Sequence, residues 1–151
     1  MDIDEGLMRL LAGTEAVMHP DKFTIVSIDR SEEGKARSLM EELGVFFSVT
    51  FERAEVSLIV EAEAWERLRE GFIRYEEEGP YVLITFDIVL ELSIVGYLAA
   101  VSARLAEAGV SIYALSTFLR DHVLVKAENS ERAMKVLQGF IAECRDALSQ
   151  G

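Results

Sequence analysis

The chain has 151 residues, 50% of them hydrophobic, and a formal net charge of -12; that much apolar material fills one sizeable core or two small ones and excludes a disordered chain. The negative balance repels polyanions, and no basic run could neutralise successive phosphates, so nucleic acid is excluded as a partner. No apolar stretch reaches the roughly 18 uncharged residues of a membrane span, no basic stretch follows Met1 as in a signal peptide, and one cysteine with two histidines forms neither an internal disulfide nor a zinc cluster, which points to a reducing cytoplasm.

The first predicted element is a short strand at 14–18. Beyond Pro20, residues 23–28 form a β-rich run, and Ala36, Leu39, Met40 and Leu43 then recur at helical spacing up to Gly44, a natural helix terminator. Alternating residues 46–51 predict a strand, 56–60 its hairpin return, and 63–71 a second helix. Residues 72–75 are expected as a closing strand and Glu76-Glu77-Glu78 as a solvated connector beside Gly79-Pro80. His19, next to Pro20, is expected in a surface turn.

The rhythm then repeats. Residues 81–86 predict a strand; Leu98, Val101, Ser102, Leu105 and Ala108 mark a helix closed by Gly109; 111–118 and 122–125 predict a hairpin. A last helix is expected over 130–144, with Asn129 as its N-cap and Ala133, Val136, Leu137, Phe140 and Cys144 as its buried stripe. Cys144 is thereby read as a core residue, not a reactive thiol. Each unit reads βαββα, one strand short of the ferredoxin-like βαββαβ pattern, so the predicted class is α+β: two such units, at 1–78 and 79–151, with antiparallel sheets and helices on one face. Residues 14–18 are expected to fold across and complete the second sheet, interlocking the units.

Motifs for phosphate loops and helical zinc sites are absent from the sequence. Ser116, Thr117, Asp121 and His122 cluster around one hairpin, but neighbours such as Asp121 and His122 point to opposite faces of a strand, which opposes a catalytic triad. Binding chemistry is better represented. Ser93, Ile94, Val95 and Gly96 lead into the helix beginning near Tyr97, whose first amides lack internal partners and suit a carboxylate. Ala114, Leu115, Ser116 and Thr117 with Asp121 offer hydroxyls and an acid for an ammonium group. An acidic pocket built from Asp121, with Glu91 or Asp87 nearby, would favour a cationic ligand side chain such as that of arginine or lysine.

The runs Gly96-Tyr97-Leu98-Ala99-Ala100-Val101-Ser102, Leu105-Ala106-Glu107-Ala108-Gly109-Val110-Ser111-Ile112, Ser116-Thr117-Phe118 and Asp121-His122-Val123-Leu124-Val125 resemble an ACT domain. The likeness is nearest the tandem-ACT amino-acid sensor group. It covers 79–144 well and 14–78 through the repeat pattern and the Leu43-Gly44-Val45 helix end. The resemblance implies a regulatory module that binds an amino acid where two ACT units meet, without a cofactor or catalytic residues, in a homodimer that signals to a protein partner. It places the ligand site at Ser93, Ile94, Val95 and Gly96 on one side and Ala114, Leu115, Ser116, Thr117 and Asp121 on the other. Many ACT loops carry an acid, a proline and then glycine; here Glu91-Leu92-Ser93-Ile94-Val95-Gly96 has no proline. The first unit, with Glu32 and Glu33 beside Gly34, is expected to be scaffold. The alternatives are a structural oligomerisation module and a small hydrolase using Asp121 and His122.

Overall fold

A computed structural model describes residues 2–151; Met1, where the N-terminal stretch begins, lies outside the described residues. Contacts divide the chain into Val82–Gly151 with the segment ending at His19, here the terminal unit, and Pro20–Tyr81, the inserted unit. The sequence reading assigned all of 1–78 to one unit. The chain instead gives the segment up to His19 to the other, because α1 (Glu5–Ala12), capped by Asp4, whose carboxylate accepts from the Leu7 amide at 2.7 Å, buries Leu7 and Leu11 in the terminal unit's core.

In the inserted unit, β1 (Glu15–Asp29) contributes its residues from Pro20 on, followed by α2 (Glu33–Ser38), β2 (Ser48–Phe51), β3 (Glu55–Glu61), α3 (Ala62–Leu68) and the start of β4 (Tyr75–Asp87). The strand order is β2-β3-β1-β4, with β3 antiparallel to β1 from Phe23 opposite Glu61 to Asp29 opposite Glu55. Alternation sends Val26, Ile28, Val56, Leu58 and Val60 into one core with Ala64 and Trp65 of α3. Trp65 packs on the rings of Phe72 and Tyr75.

Several boundaries differ from expectation for physical reasons. The helix read over 36–43 is α2 plus a 3-10 turn, Met40–Glu42, and Met40 is exposed. The second helix likewise ends at Leu68 in a 3-10 turn, Arg69–Gly71. Residues 72–75 are not the closing strand: Phe72 is a core side chain, and β4 closes the sheet from Tyr75. The acidic run is therefore strand, not connector. Glu77 is held there by the Trp65 indole N–H and by Arg69 at 3.0 Å. Pro20 and Pro80 likewise stand inside β1 and β4.

In the terminal unit the remainder of β4 is followed by α4 (Tyr97–Glu107), β5 (Tyr113–Ser116), β6 (Asp121–Lys126) and α5 (Ser130–Ser149). Its strand order is β1-β4-β6-β5, so the segment of β1 ahead of Pro20 supplies the fourth strand, as expected for residues 14–18. Val82, Ile84, Phe86, Val123 and Val125 meet Val101, Leu105, Leu137 and Phe140 in one core, with Cys144 buried among them. Arg145 of α5 donates to the carbonyls of Ala12 at 2.8 Å and Thr14 at 3.3 Å, which ties down the end of α1. Asn129 precedes α5, but its side chain accepts from Arg132 instead of capping the helix. His19 is a strand residue bonded to Thr85, not a turn residue. Among the described residues no helix is long and apolar enough to cross a membrane.

Candidate functional site

A cavity of about 280 Å³ opens in the terminal unit between the segment joining β4 to α4 and the β5–β6 hairpin. Five of the residues singled out from the sequence line it: Ile94, Gly96, Ser116, Thr117 and Asp121. Ser93, Val95, Ala114 and Leu115 do not. The residues that sequence reasoning did not place there are chiefly apolar: Leu90, Leu92, Tyr97, Leu98, Ala99 and Phe118. Glu91 and Arg120 complete the wall.

Each side of the cavity has its own chemistry. On one side α4 begins at Gly96, whose φ of +90° is left-handed, and no side chain caps its first turn. The first amides of α4 are thus left for an external acceptor. On the other, Ser116 stands opposite Asp121 and its hydroxyl donates to the Asp121 carboxylate at 2.6 Å. This pair offers acceptor oxygens to a cation. Arg120 donates to Asp87 at 3.0 Å, so two charges close to the cavity neutralise one another. Leu90 N–H donates to the Leu119 carbonyl at 2.8 Å, fixing the loop to the hairpin tip.

Catalytic geometry is not what these groups form. The Ser116 hydroxyl is engaged by Asp121, while His122 bonds Thr85 through Nδ1 at 2.8 Å and Thr117 through Nε2 at 3.3 Å. Asp121 and His122 are successive residues of β6 and point to opposite faces, so Asp121 does not orient His122 towards Ser116.

Tyr97 shows how the N-terminal segment supports the wall. The Thr14 hydroxyl donates to the Leu10 carbonyl at 2.8 Å, so it accepts from the Tyr97 hydroxyl at 2.6 Å, with both side chains buried. Burial, which outweighs the Thr14 bond, pushes the Tyr97 phenol up to about 12, and the group is neutral. Tyr97→Phe removes one hydrogen bond and leaves no donor stranded, so urea melts are expected to show a loss of about 1 kcal/mol. Thr14→Val strands the buried phenol and is expected to cost more, about 1–3 kcal/mol. Equal losses would mean that the two hydroxyls are not coupled in this way.

Residues 77–139 match the family model described as ACT domain. No curated relative matches the chain. A protein of unknown function from Vibrio cholerae, described as a possible transport protein, is 22% identical with a TM-score of 0.70, over 89% of this chain and 95% of that one. A protein from Agrobacterium tumefaciens is 19% identical with a TM-score of 0.66, over 84% and 88%. The regulatory subunit of aspartate kinase from Thermus flavus is 16% identical with a TM-score of 0.59, over 83% and 95%. At such identities the likeness is one of fold: this chain has the α+β architecture found in that regulatory subunit.

Proposed function

We propose that this chain, which carries an ACT domain at residues 77–139, is a regulatory protein that binds a free amino acid in the terminal unit's cavity. The observation that carries the reading is the pairing of unlike groups across one space: the uncapped start of α4 faces the hydrogen-bonded Ser116 and Asp121 side chains. The α-carboxylate is assigned to the α4 amides beside Gly96, and the ammonium to Asp121 and Ser116. Leu92, Leu98 and Phe118 supply apolar surface for the side chain. Of the acids that in the sequence argued for a cationic ligand side chain, Asp87 is paired with Arg120, while Glu91 lines the cavity.

Leu92, Val95 and Phe118 are each at least 75% exposed around this cavity. Such a cluster of apolar side chains marks an interaction surface. It supports closure of the site by the ACT unit of a second copy, hence a homodimer, with occupancy passed to a protein partner in the cytoplasm. Turnover is not part of this reading, since the imidazole of His122 is engaged by Thr85 and Thr117 and not by Ser116.

The test is a thermal-shift screen of the whole chain against the twenty amino acids at millimolar concentration. A ligand present at a hundred times its dissociation constant stabilises by about 2.7 kcal/mol, which corresponds to a rise of about 5–10 °C for a domain of this size. A rise of that order for one or two compounds is expected. No rise with any of them removes the sensor reading and leaves an oligomerisation module.

A further inference from the structure

Four polar side chains run in line through the sheet of the terminal unit, behind the cavity wall. His19 Nε2 lies 2.9 Å from Thr85 Oγ1, Thr85 Oγ1 lies 2.8 Å from His122 Nδ1, and His122 Nε2 lies 3.3 Å from Thr117 Oγ1. The last member, Thr117, lines the cavity, and its hydroxyl donates to the Arg120 carbonyl at 3.1 Å. A carbonyl can only accept, which fixes the direction of the whole series. With its hydroxyl proton committed to Arg120, Thr117 accepts, so His122 carries a proton on Nε2. Neutral His122 then presents a lone pair at Nδ1, to which the Thr85 hydroxyl donates. Thr85 in turn accepts from a proton on His19 Nε2.

We propose that this series is a proton-sensitive device in the cavity wall: a proton taken up at His122 Nδ1 turns the Thr85 hydroxyl round, passes the reversal to His19 on β1, and places a positive charge in the hairpin beside Thr117. A protonated Nδ1 donates, so Thr85 must accept from it and direct its own proton to His19. His19 then exchanges its Nε2–H form for the Nδ1–H form. A change at the cavity wall is thereby transmitted to the strand that completes the sheet.

The surroundings make the switch responsive. His122 is only 6% exposed. On its face of the sheet β5 sets Leu115 opposite it and Tyr113 opposite Leu124; β1 brings His19, and β4 brings Thr85. Its own hairpin brings Arg120 and Asp121, and Asp87 of β4 is engaged by Arg120. Burial first, and then the neighbouring His19, hold the His122 ring below its ordinary 6.5; Asp121 pulls the other way and Arg120 adds to the depression. Between the lowered value and 6.5 the unfolded chain binds more protons than the folded one. The neutral arrangement is therefore fully favoured above pH 6.5 and is lost on acidification through the lower, folded value.

The proposal does not depend on what occupies the cavity, because the ligand-free protein reports on it. Imidazole nitrogen and backbone amide spectra of the full chain, recorded from pH 8 to pH 5, are expected to show both rings in the Nε2–H form at pH 8. His122 is expected to titrate below 6.5, with the Thr117 and Arg120 amides and the His19 ring shifting at the same midpoint. Finding His122 in the Nδ1–H form at pH 8, or amides that do not follow its midpoint, overturns the proposal. Thr85→Val supplies a second test. It should abolish the His19 inflection at the His122 midpoint while His122 still titrates, and an inflection that survives in this variant shows that the hydroxyl is not the link.

Discussion

A fragment comprising residues 79–151 is expected to lack a cooperative melting transition, although it holds nearly all of the region that matches the ACT-domain model. The fragment loses the strand that completes the order β1-β4-β6-β5, and with it the partners of one edge of β4. It also loses Leu7 and Leu11, both buried against the core that α4 and α5 form. Burying side chains of this kind contributes about 1.5–3 kcal/mol each. The bond between Thr14 and Tyr97, and the two from Arg145 to the Ala12 and Thr14 carbonyls, vanish as well. At about 1 kcal/mol each, these add to a total comparable with the whole stability of a small domain, about 5–15 kcal/mol. Thermal and urea melts followed by circular dichroism decide the matter. Recovery of a transition when a peptide of residues 2–19 is added in trans would assign the loss to the missing strand and helix. Cooperative melting of the fragment by itself would mean that the N-terminal segment decorates a core that is already complete.

The strand at 14–18 was legible because the second unit reads βαββα, one strand short of the ferredoxin-like pattern, and an unassigned β-prone stretch stood ahead of Pro20. Helix α1 itself was not recognised. With eight residues it offers too few turns for a periodic signal, although Asp4 before Glu5-Gly6-Leu7 is a cap that could have announced it. The extent of β1 and β4 was hidden for a related reason. Proline and consecutive glutamates read as punctuation, yet both strands run through them. At the site, two hydroxyls near the end of the run 112–118 and the acid that follows them singled out Ser116, Thr117 and Asp121, and all three line the cavity. Period-two logic could not treat the irregular segment between β4 and α4, so Ser93 and Val95 were grouped with Ile94 and Gly96 although only the latter two line the cavity. The hydrogen bonds of His19 and His122 depend on pairing between strands distant in sequence, and nothing local to either residue signals them.

Gly96→Val is expected to remove the thermal response to whichever amino acid stabilises the wild-type chain most. Gly96 holds φ at +90°, which strains any residue with a side chain, and a β-carbon there would stand in contact with Leu7 Cδ2 at 3.4 Å. A side chain at the start of α4 would also cover the amides to which the ligand carboxylate is assigned. Backbone strain alone lowers stability by about 1–3 kcal/mol, and a lower melting temperature by itself would therefore say nothing about binding. Gly109→Val is the control, since Gly109 is also left-handed, at φ +72°, but nothing lies within 4 Å of an added β-carbon. The two variants should both melt below wild type, and only Gly109→Val should keep the ligand-induced rise. Asp121→Ala tests the opposite wall: it removes the acid that holds Ser116 and would receive the ammonium. A hydrogen bond to a charged group contributes about 1.5–3 kcal/mol, so affinity should fall about tenfold to a hundredfold in this variant. If Gly96→Val retains the rise, the α4 amides are not the carboxylate site; if Asp121→Ala alone retains it, the ammonium lies elsewhere in the cavity.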